Sequence, residues 1–245
     1  MQRLDIYLAQ SGFCQTRSKA SQLIKEGKVM VNEKTITKAG CLILGTEKID
    51  IKDSCPFVSR AGQKLFGAIK DFGLNFDGKI VLDIGSSTGG FTDCALQNGA
   101  KKVYALDVGT SQLNSRLRND KRVVVMENTD IRSLDKSKVS DINLIVCDVS
   151  FISLTKISYK ISELLPTLGE FVVLIKPQFE CGKTIAKKSK GVIKDEKIHK
   201  KVRKIIQNDF ILHNLQILSI KTSSIKGTDG NIEFVAHGKK VSNLF

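Results

Sequence analysis

Val81-Leu82-Asp83-Ile84, followed at once by Gly85-Ser86-Ser87-Thr88-Gly89-Gly90, constrains this chain more than any other stretch. An apolar β run turns through small residues into what reads as a helix starting near Thr88. Such a turn lets backbone N–H groups approach a ligand, with the positive end of a helix beyond them. The glycine spacing departs from the strict dinucleotide fingerprint, so the loop alone indicates a nucleotide-like ligand without choosing one.

Around that loop strands and helices alternate. Residues 79–84, 101–107, 123–126, 142–148 and 171–176 read as strands, and 88–98, 112–117 and 157–165 as helices. A helix over 59–72 precedes them, with Leu65, Phe66, Ile69 and Phe72 at helical spacing and Gly73 to end it. A long helix from 194 to about 210 and strands over 215–221 and 231–236 follow. This alternation is the mark of a doubly wound α/β sheet. The first 55 residues read differently: helices over 3–11 and 17–27, the second with Ala20, Leu23 and Ile24 on one face, then strands over 28–32 and 47–51. Asn32-Glu33-Lys34 reads as a turn. The stretch 52–56 holds the first proline and is the expected linker, which gives a small α+β domain over 1–55 and a larger one over 56–245.

Composition narrows the partners. A formal net charge of +14 across 245 residues points to a polyanion, most often nucleic acid. No apolar stretch approaches the roughly 20 residues of a membrane helix, and the N-terminus lacks the order of a secretory signal, so we expect a cytoplasmic protein with no membrane partner. The six cysteines are scattered singly with three histidines, which argues against a zinc site or a disulfide framework; no metal is expected. We expect a monomer or weak dimer.

In an open sheet of this kind ligands sit beyond the carboxyl ends of the strands. Those ends carry the Gly85–Gly90 loop, Asp107, Asn128-Thr129-Asp130, Asp148 and Lys176. Asp107 is placed to accept hydrogen bonds from ribose hydroxyls, or else to cap the next turn. Asn128-Thr129-Asp130 offers polar groups to an adenine edge, or simply makes a turn. Lys176 ends the apolar run Phe171–Ile175 and precedes Pro177. A lysine in such low-dielectric surroundings can act as a base, the alternative being a stem that covers the sheet end. Lys64, in the helix before the first strand, and Glu233, expected in the last strand, are further charged candidates; an inward-facing Glu needs a cation. Phe151 is placed either to stack on a base or to join the core.

The stretch from Val81 to Asp93, with Phe57-Val58-Ser59-Arg60-Ala61-Gly62-Gln63-Lys64-Leu65, Asp148-Val149-Ser150-Phe151-Ile152-Ser153-Leu154 and Leu174-Ile175-Lys176-Pro177-Gln178-Phe179-Glu180, resembles the TlyA family. These are S-adenosylmethionine-dependent ribosomal-RNA methyltransferases, also catalogued as hemolysins, with an S4-type RNA-binding domain before an FtsJ-like, class I methyltransferase domain. Arg3-Leu4-Asp5, Thr16-Arg17-Ser18-Lys19-Ala20 and the run Leu23–Asn32 resemble the S4 pattern. The resemblance implies a catalytic set of Lys64, Asp148, Lys176 and Glu233, acting on the 2′-hydroxyl of cytidine in ribosomal RNA. It implies that Asp83, Gly85, Ser86, Ser87, Thr88, Gly89, Gly90, Phe91, Asp107, Val108, Asn128, Thr129, Asp130 and Asp148 hold S-adenosylmethionine. Ser86 stands where the family usually has Ala. Short forms of the family are associated with the large ribosomal subunit, which is the expected partner here.

Charge suggests where RNA would lie. Ten basic residues fall between Lys183 and Lys204, against only Asp195 and Glu196. We expect a 183–190 loop to grip substrate phosphates through Lys183, Lys187 and Lys188, and Arg3, Arg17, Lys19 and Arg60 to contact RNA elsewhere. The rival readings are a non-catalytic S4 RNA-binding or ribosome-assembly factor, and a membrane-acting hemolysin. An S4-bearing pseudouridine synthase would have no use for the glycine loop followed by Asp107.

Overall fold

A computed structural model describes residues 1–14, 16–51, 55–227 and 229–242. The chain divides into two compact units, Met1–Pro56 and Phe57–Phe245. Lys52, Asp53 and Ser54 of the expected linker lie outside the described residues.

The first unit runs β1 (Gln2–Arg3), α1 (Leu4–Gln10), α2 (Arg17–Lys25), β2 (Val29–Val31), β3 (Lys34–Ile36), β4 (Leu42–Ile43) and β5 (Ile49–Ile51). Thr16 caps α2 by accepting from the Lys19 N–H, and Leu4, Leu8, Ala20, Ile24 and Val29 close a core beneath the helices. β2 is central in the order β3-β2-β5, and β1 pairs with β4. Asn32 and Glu33 both take positive φ, the geometry of a two-residue hairpin turn. Sequence reasoning gave neither β3 nor the β1–β4 pair, because strands of two or three residues are too short to show alternation.

The second unit opens with α3 (Ala61–Phe72), which Gly73 ends in the left-handed conformation at φ 65°. Then follow β6 (Ile80–Ile84), α4 (Gly90–Gln97), β7 (Lys102–Leu106), α5 (Ser115–Arg118), β8 (Val123–Met126), β9 (Leu144–Cys147), α6 (Ser158–Leu164), β10 (Glu170–Ile175), α7 (Pro177–Glu180), α8 (Lys183–Lys188), α9 (Glu196–Leu212), β11 (Leu215–Thr222) and β12 (Phe234–Lys240). They build one seven-stranded sheet in the order β11-β12-β10-β9-β6-β7-β8. β6 to β10 are mutually parallel, and β12 runs antiparallel to both β10 and β11. The order reverses at β6, which pairs with β7 on one side and β9 on the other. That switch point is where a sheet of this type opens to a ligand. Leu82, Ile145, Val173, Ile161, Ile206 and Phe210 belong to the core that fixes it, each almost wholly removed from water. Burial of that extent stabilises by roughly 1.5–3 kcal/mol per large side chain.

Three expectations need correction. The last strand begins at Phe234 rather than 231, so Glu233 lies just outside it; Asn231 and Glu233 are buried there, and their carbonyls accept from the Gly227 and Ser223 N–H groups. The expected 183–190 loop is largely helical, as α8, because Lys183 to Lys188 contains no helix breaker and Gly182 precedes it. The helix expected over 112–117 shrinks to Ser115–Arg118, because the N–H groups of Ser111, Gln112 and Leu113 are held by the Glu127 carboxylate. Among the cysteines, Cys14, Cys94 and Cys147 are buried. Among the described residues no helix is long and apolar enough to cross a membrane.

Candidate active site

The glycine loop leaves β6 by a route that only a residue without Cβ can follow. Gly85 sits at φ +81°, and a Cβ there would lie 2.9 Å from the carbonyl oxygen of Asp148. Its N–H and that of Ser86 donate to the Leu106 carbonyl, which ties the loop to the end of β7. Gly89 (φ +95°) and Gly90 then start α4, with Thr88 before them and the Phe91 side chain buried behind.

A cavity of about 550 Å³ opens in front of this loop, at the ends of β6, β7 and β9. Gly85, Asp107, Val108, Gln112, Asp130 and Asp148 are among its walls. Asp107 Oδ2 accepts from Ser87 N–H at 2.8 Å and Oδ1 from Gly109 N–H at 2.7 Å. Asp107 thus does the work of a turn cap and joins the two loops that frame the opening. Glu127, at the end of β8, binds three successive backbone N–H groups and Arg118, whose guanidinium is foremost in holding its carboxyl down at about 2. It fixes the loop that carries Gln112. Glu127 went unnoticed in the sequence, though a lone acid directly after an apolar run was a signal. Asp130 pairs with Arg132 at the cavity edge, whereas Asn128 and Thr129 are not among the lining residues and spend their backbone N–H groups on Gly109 and Asp107.

The cavity fits S-adenosylmethionine. Its floor is backbone that a Cβ would fill at Gly85, and two buried oxygens beside it, Asp83 Oδ1 and Ser86 Oγ, have no protein partner.

Two lysine–carboxylate pairs stand at the same rim. Lys176 Nζ lies 2.6 Å from Asp148 Oδ1, an ion pair without hydrogen-bond alignment, and donates to Ser150 Oγ at 2.9 Å. Lys64 Nζ, on α3, donates to Glu233 Oε2 at 2.6 Å. All four side chains are nearly removed from solvent. Register explains why residues so far apart in sequence meet. Ile175 of β10 pairs with Phe234 of the antiparallel β12, so Lys176 leaves one strand beside the point where Glu233 enters the other. A smaller cleft of about 150 Å³ reaches Lys176 and shares Gly85, Ser87, Asp148 and Ser150 with the larger cavity. Phe151 stands beside it, 91% exposed at φ +66°, with its ring 5.0 Å from that of Phe179. An exposed phenylalanine in that conformation is strained and solvent-facing at once. Ser150 is a second residue that sequence reasoning passed over as part of a motif.

Asp83 is wholly buried, and its Oδ2 accepts from the Thr92 hydroxyl at 2.6 Å. Burial pushes its carboxyl from an ordinary 3.8 up to about 7; Thr92 opposes the shift, and the charges of Asp148 and Asp107 add to it. The folded protein therefore keeps a proton that the unfolded chain releases above about pH 4. Asp83 contributes its full stability below that pH and loses it as pH rises to about 7. Asp83→Asn should remove that decline, leaving the cofactor-free variant more stable than the parent above pH 7 by up to about 4 kcal/mol. Urea unfolding at pH 5 and pH 7.5 measures it; parallel pH dependence in both proteins would contradict the assignment.

The expected RNA contacts are distributed over both units. In the first, Asp5 is buried and accepts from Arg3 (Nε and Nη2, 3.0 Å each), Arg17 (Nε, 2.9 Å) and Ser21. Above all the hydrogen bonds from Arg3, and then those from Arg17, hold its carboxyl well below the usual range. Both guanidiniums remain about half exposed, in fixed orientation, and Lys19, two residues after Arg17, is half-buried. In the second unit Arg60 donates to the Lys226 carbonyl, and α8 presents Lys183, Lys187 and Lys188 to solvent.

Comparison with known proteins agrees with this geometry. The FtsJ-like methyltransferase family matches residues 57–240, and the S4 domain matches residues 2–46. Hemolysin A of Brachyspira hyodysenteriae is 44% identical over 237 residues, covering 96% of this chain and 98% of that protein. The 23S rRNA (cytidine-2′-O)-methyltransferase TlyA of Campylobacter jejuni is 37% identical over 238 residues, covering 89% and 92%. The solved structure of a hemolysin candidate from Streptococcus thermophilus matches with a TM-score of 0.78 at 36% identity, covering 99% and 89%. A glycine loop at the sheet's switch point, paired lysines and carboxylates on its rim, and full-length relatives of the same build assign the chain to the FtsJ-like methyltransferases, in the S4-bearing TlyA family.

Proposed function

We propose that this protein methylates the 2′-hydroxyl of a cytidine in ribosomal RNA, with S-adenosylmethionine as methyl donor. The observation that carries the reading is the Lys176–Asp148 pair in the cleft that shares its walls with the larger cavity, with the Lys64–Glu233 pair at the point where β12 begins beside the end of β10. Bound there, S-adenosylmethionine supplies a sulfonium-activated methyl group. A ribose hydroxyl is a weak nucleophile, so the chain's task is to hold it in line and to receive its proton.

Lys176 is the residue for the proton. Asp148 and Ser150 fix its ammonium end from two sides, and both line the cofactor cavity as well as the cleft. Lys64 and Glu233 orient the hydroxyl, the carboxylate being kept in place by its buried cation. Phe151 offers a ring on which the target base stacks once it leaves its helix. Arg3 and Arg17, aligned by Asp5, engage phosphates through the first unit, and Lys183, Lys187 and Lys188 do so next to the active site.

Mapping 2′-O-methyl groups on both ribosomal RNAs, in cells with and without the protein, tests the function. One or more cytidine 2′-O-methyl groups should disappear with the protein; unchanged maps on both RNAs would refute the proposal. Replacing Lys183, Lys187 and Lys188 together with Ala should weaken RNA binding and flatten the log–log salt dependence by roughly 2, as expected for three lost phosphate contacts to a single strand. An unaltered slope would remove α8 from the RNA surface.

A further inference from the structure

Between α8 and α9 the chain is stitched to the segment that carries Glu233. Asn231 is 1% exposed, and its side-chain amide is used at both ends. Oδ1 accepts from the Ile193 N–H at 2.9 Å, and Nδ2 donates to the Gly191 carbonyl at 2.8 Å. Ile193 is itself buried, and its carbonyl oxygen lies 3.0 Å from His199 Nε2 on α9, which fixes the segment from the other side. Within the turn that precedes β12, Asn231 accepts through its carbonyl from Gly227 N–H at 3.0 Å, and a Cβ on Gly227 would lie 2.5 Å from Glu233 Oε1. Two residues after Asn231, Glu233 holds Lys64.

We infer that Asn231 is a positioning residue that sets the register between the basic arm 183–193 and the Lys64–Glu233 pair. The inference rests on the reading of α8 as a grip on substrate phosphates. RNA held by α8 is then held at a fixed distance from the groups that orient its hydroxyl. A primary amide suits the post because it accepts and donates at once; a carboxylate can only accept, and a methyl group does neither. Displacement of a reactant by about 1 Å can cost on the order of 100-fold in rate, so a slack arm is felt in chemistry before it is felt in binding.

The test uses full-length Asn231→Asp, which keeps the acceptor for Ile193 and loses the donor to Gly191, and Asn231→Ala, which loses both. At saturating RNA, kcat should fall roughly 10- to 100-fold, more in the Ala variant. RNA affinity, its salt slope and S-adenosylmethionine affinity should stay within about 3-fold of the parent, because no lysine and no cavity residue has changed. A merely structural role would lower cofactor affinity and kcat together. The inference is overturned if kcat changes by less than about 3-fold in both variants, if cofactor affinity falls in step with kcat, or if RNA affinity falls while kcat holds. Should the Ala variant fail to fold, the Asp variant alone decides. Whether the parent protein methylates ribosomal RNA is read separately, so failure of the overall function is not confused with failure of the clamp.

Discussion

Lys176→Arg should be nearly inactive, although it keeps the positive charge and a partner for Asp148. A guanidinium stays protonated in proteins and cannot receive the hydroxyl proton, whereas an amine can. The loss should lie in the range of roughly 10²- to 10⁴-fold that a general base contributes, and Lys176→Ala should be at least as poor. Cofactor affinity should be nearly unchanged in both, since the lysine borders the cleft and not the larger cavity. Single-turnover methyl transfer, measured beside cofactor binding, separates the two effects. An Arg variant with more than a tenth of parental activity would show that the charge suffices and that the proton goes elsewhere.

The second large effect falls on stability as well as chemistry. Lys64 and Glu233 form a 2.6 Å pair with side chains 11% and 3% exposed. Removing one partner strands the other's charge in the interior, at a cost of roughly 3–5 kcal/mol. Glu233→Leu and Lys64→Met should therefore each melt about 6–20 °C below the parent, by the usual conversion for a domain of this size. The double variant should regain much of that stability, because two well-packed apolar groups replace a desolvated pair. It should remain inactive, having nothing to orient the hydroxyl. Single variants that melt within about 2 °C of the parent would show that the pair is solvated, contrary to its burial here.

The parts of this molecule legible in the sequence are those set by local pattern. Phe171 to Ile175 is a continuous apolar run and Val81 to Ile84 is apolar apart from Asp83, so β6 and β10 could be read as buried strands, and the loops and acids at their ends as a rim. Lys176 was readable because Pro177 forces the chain out of the sheet. The antiparallel entry of β12 beside β10 was not legible, since pairing direction depends on contacts with no local signature. Lys64 and Glu233 could therefore be linked only by family resemblance. Ser150 and Asn231 went unread for another reason: short polar residues are common in loops, and only a partner atom distinguishes a ligand from a turn former.

The antiparallel last strand also bears on how the protein is made. Lys64 lies on the first helix of its unit, and the carboxylate that receives it comes 169 residues later. During synthesis from the N-terminus, β6 to β10 can associate while Lys64 still lacks its anion. The site is therefore closed by one of the longest-range contacts in the chain, the kind whose loop-closure cost makes it slow to form. On the proposed roles of Lys64 and Glu233, chemistry waits for the strand that completes the sheet, so a nascent chain can present its S4 unit well before it is able to modify anything.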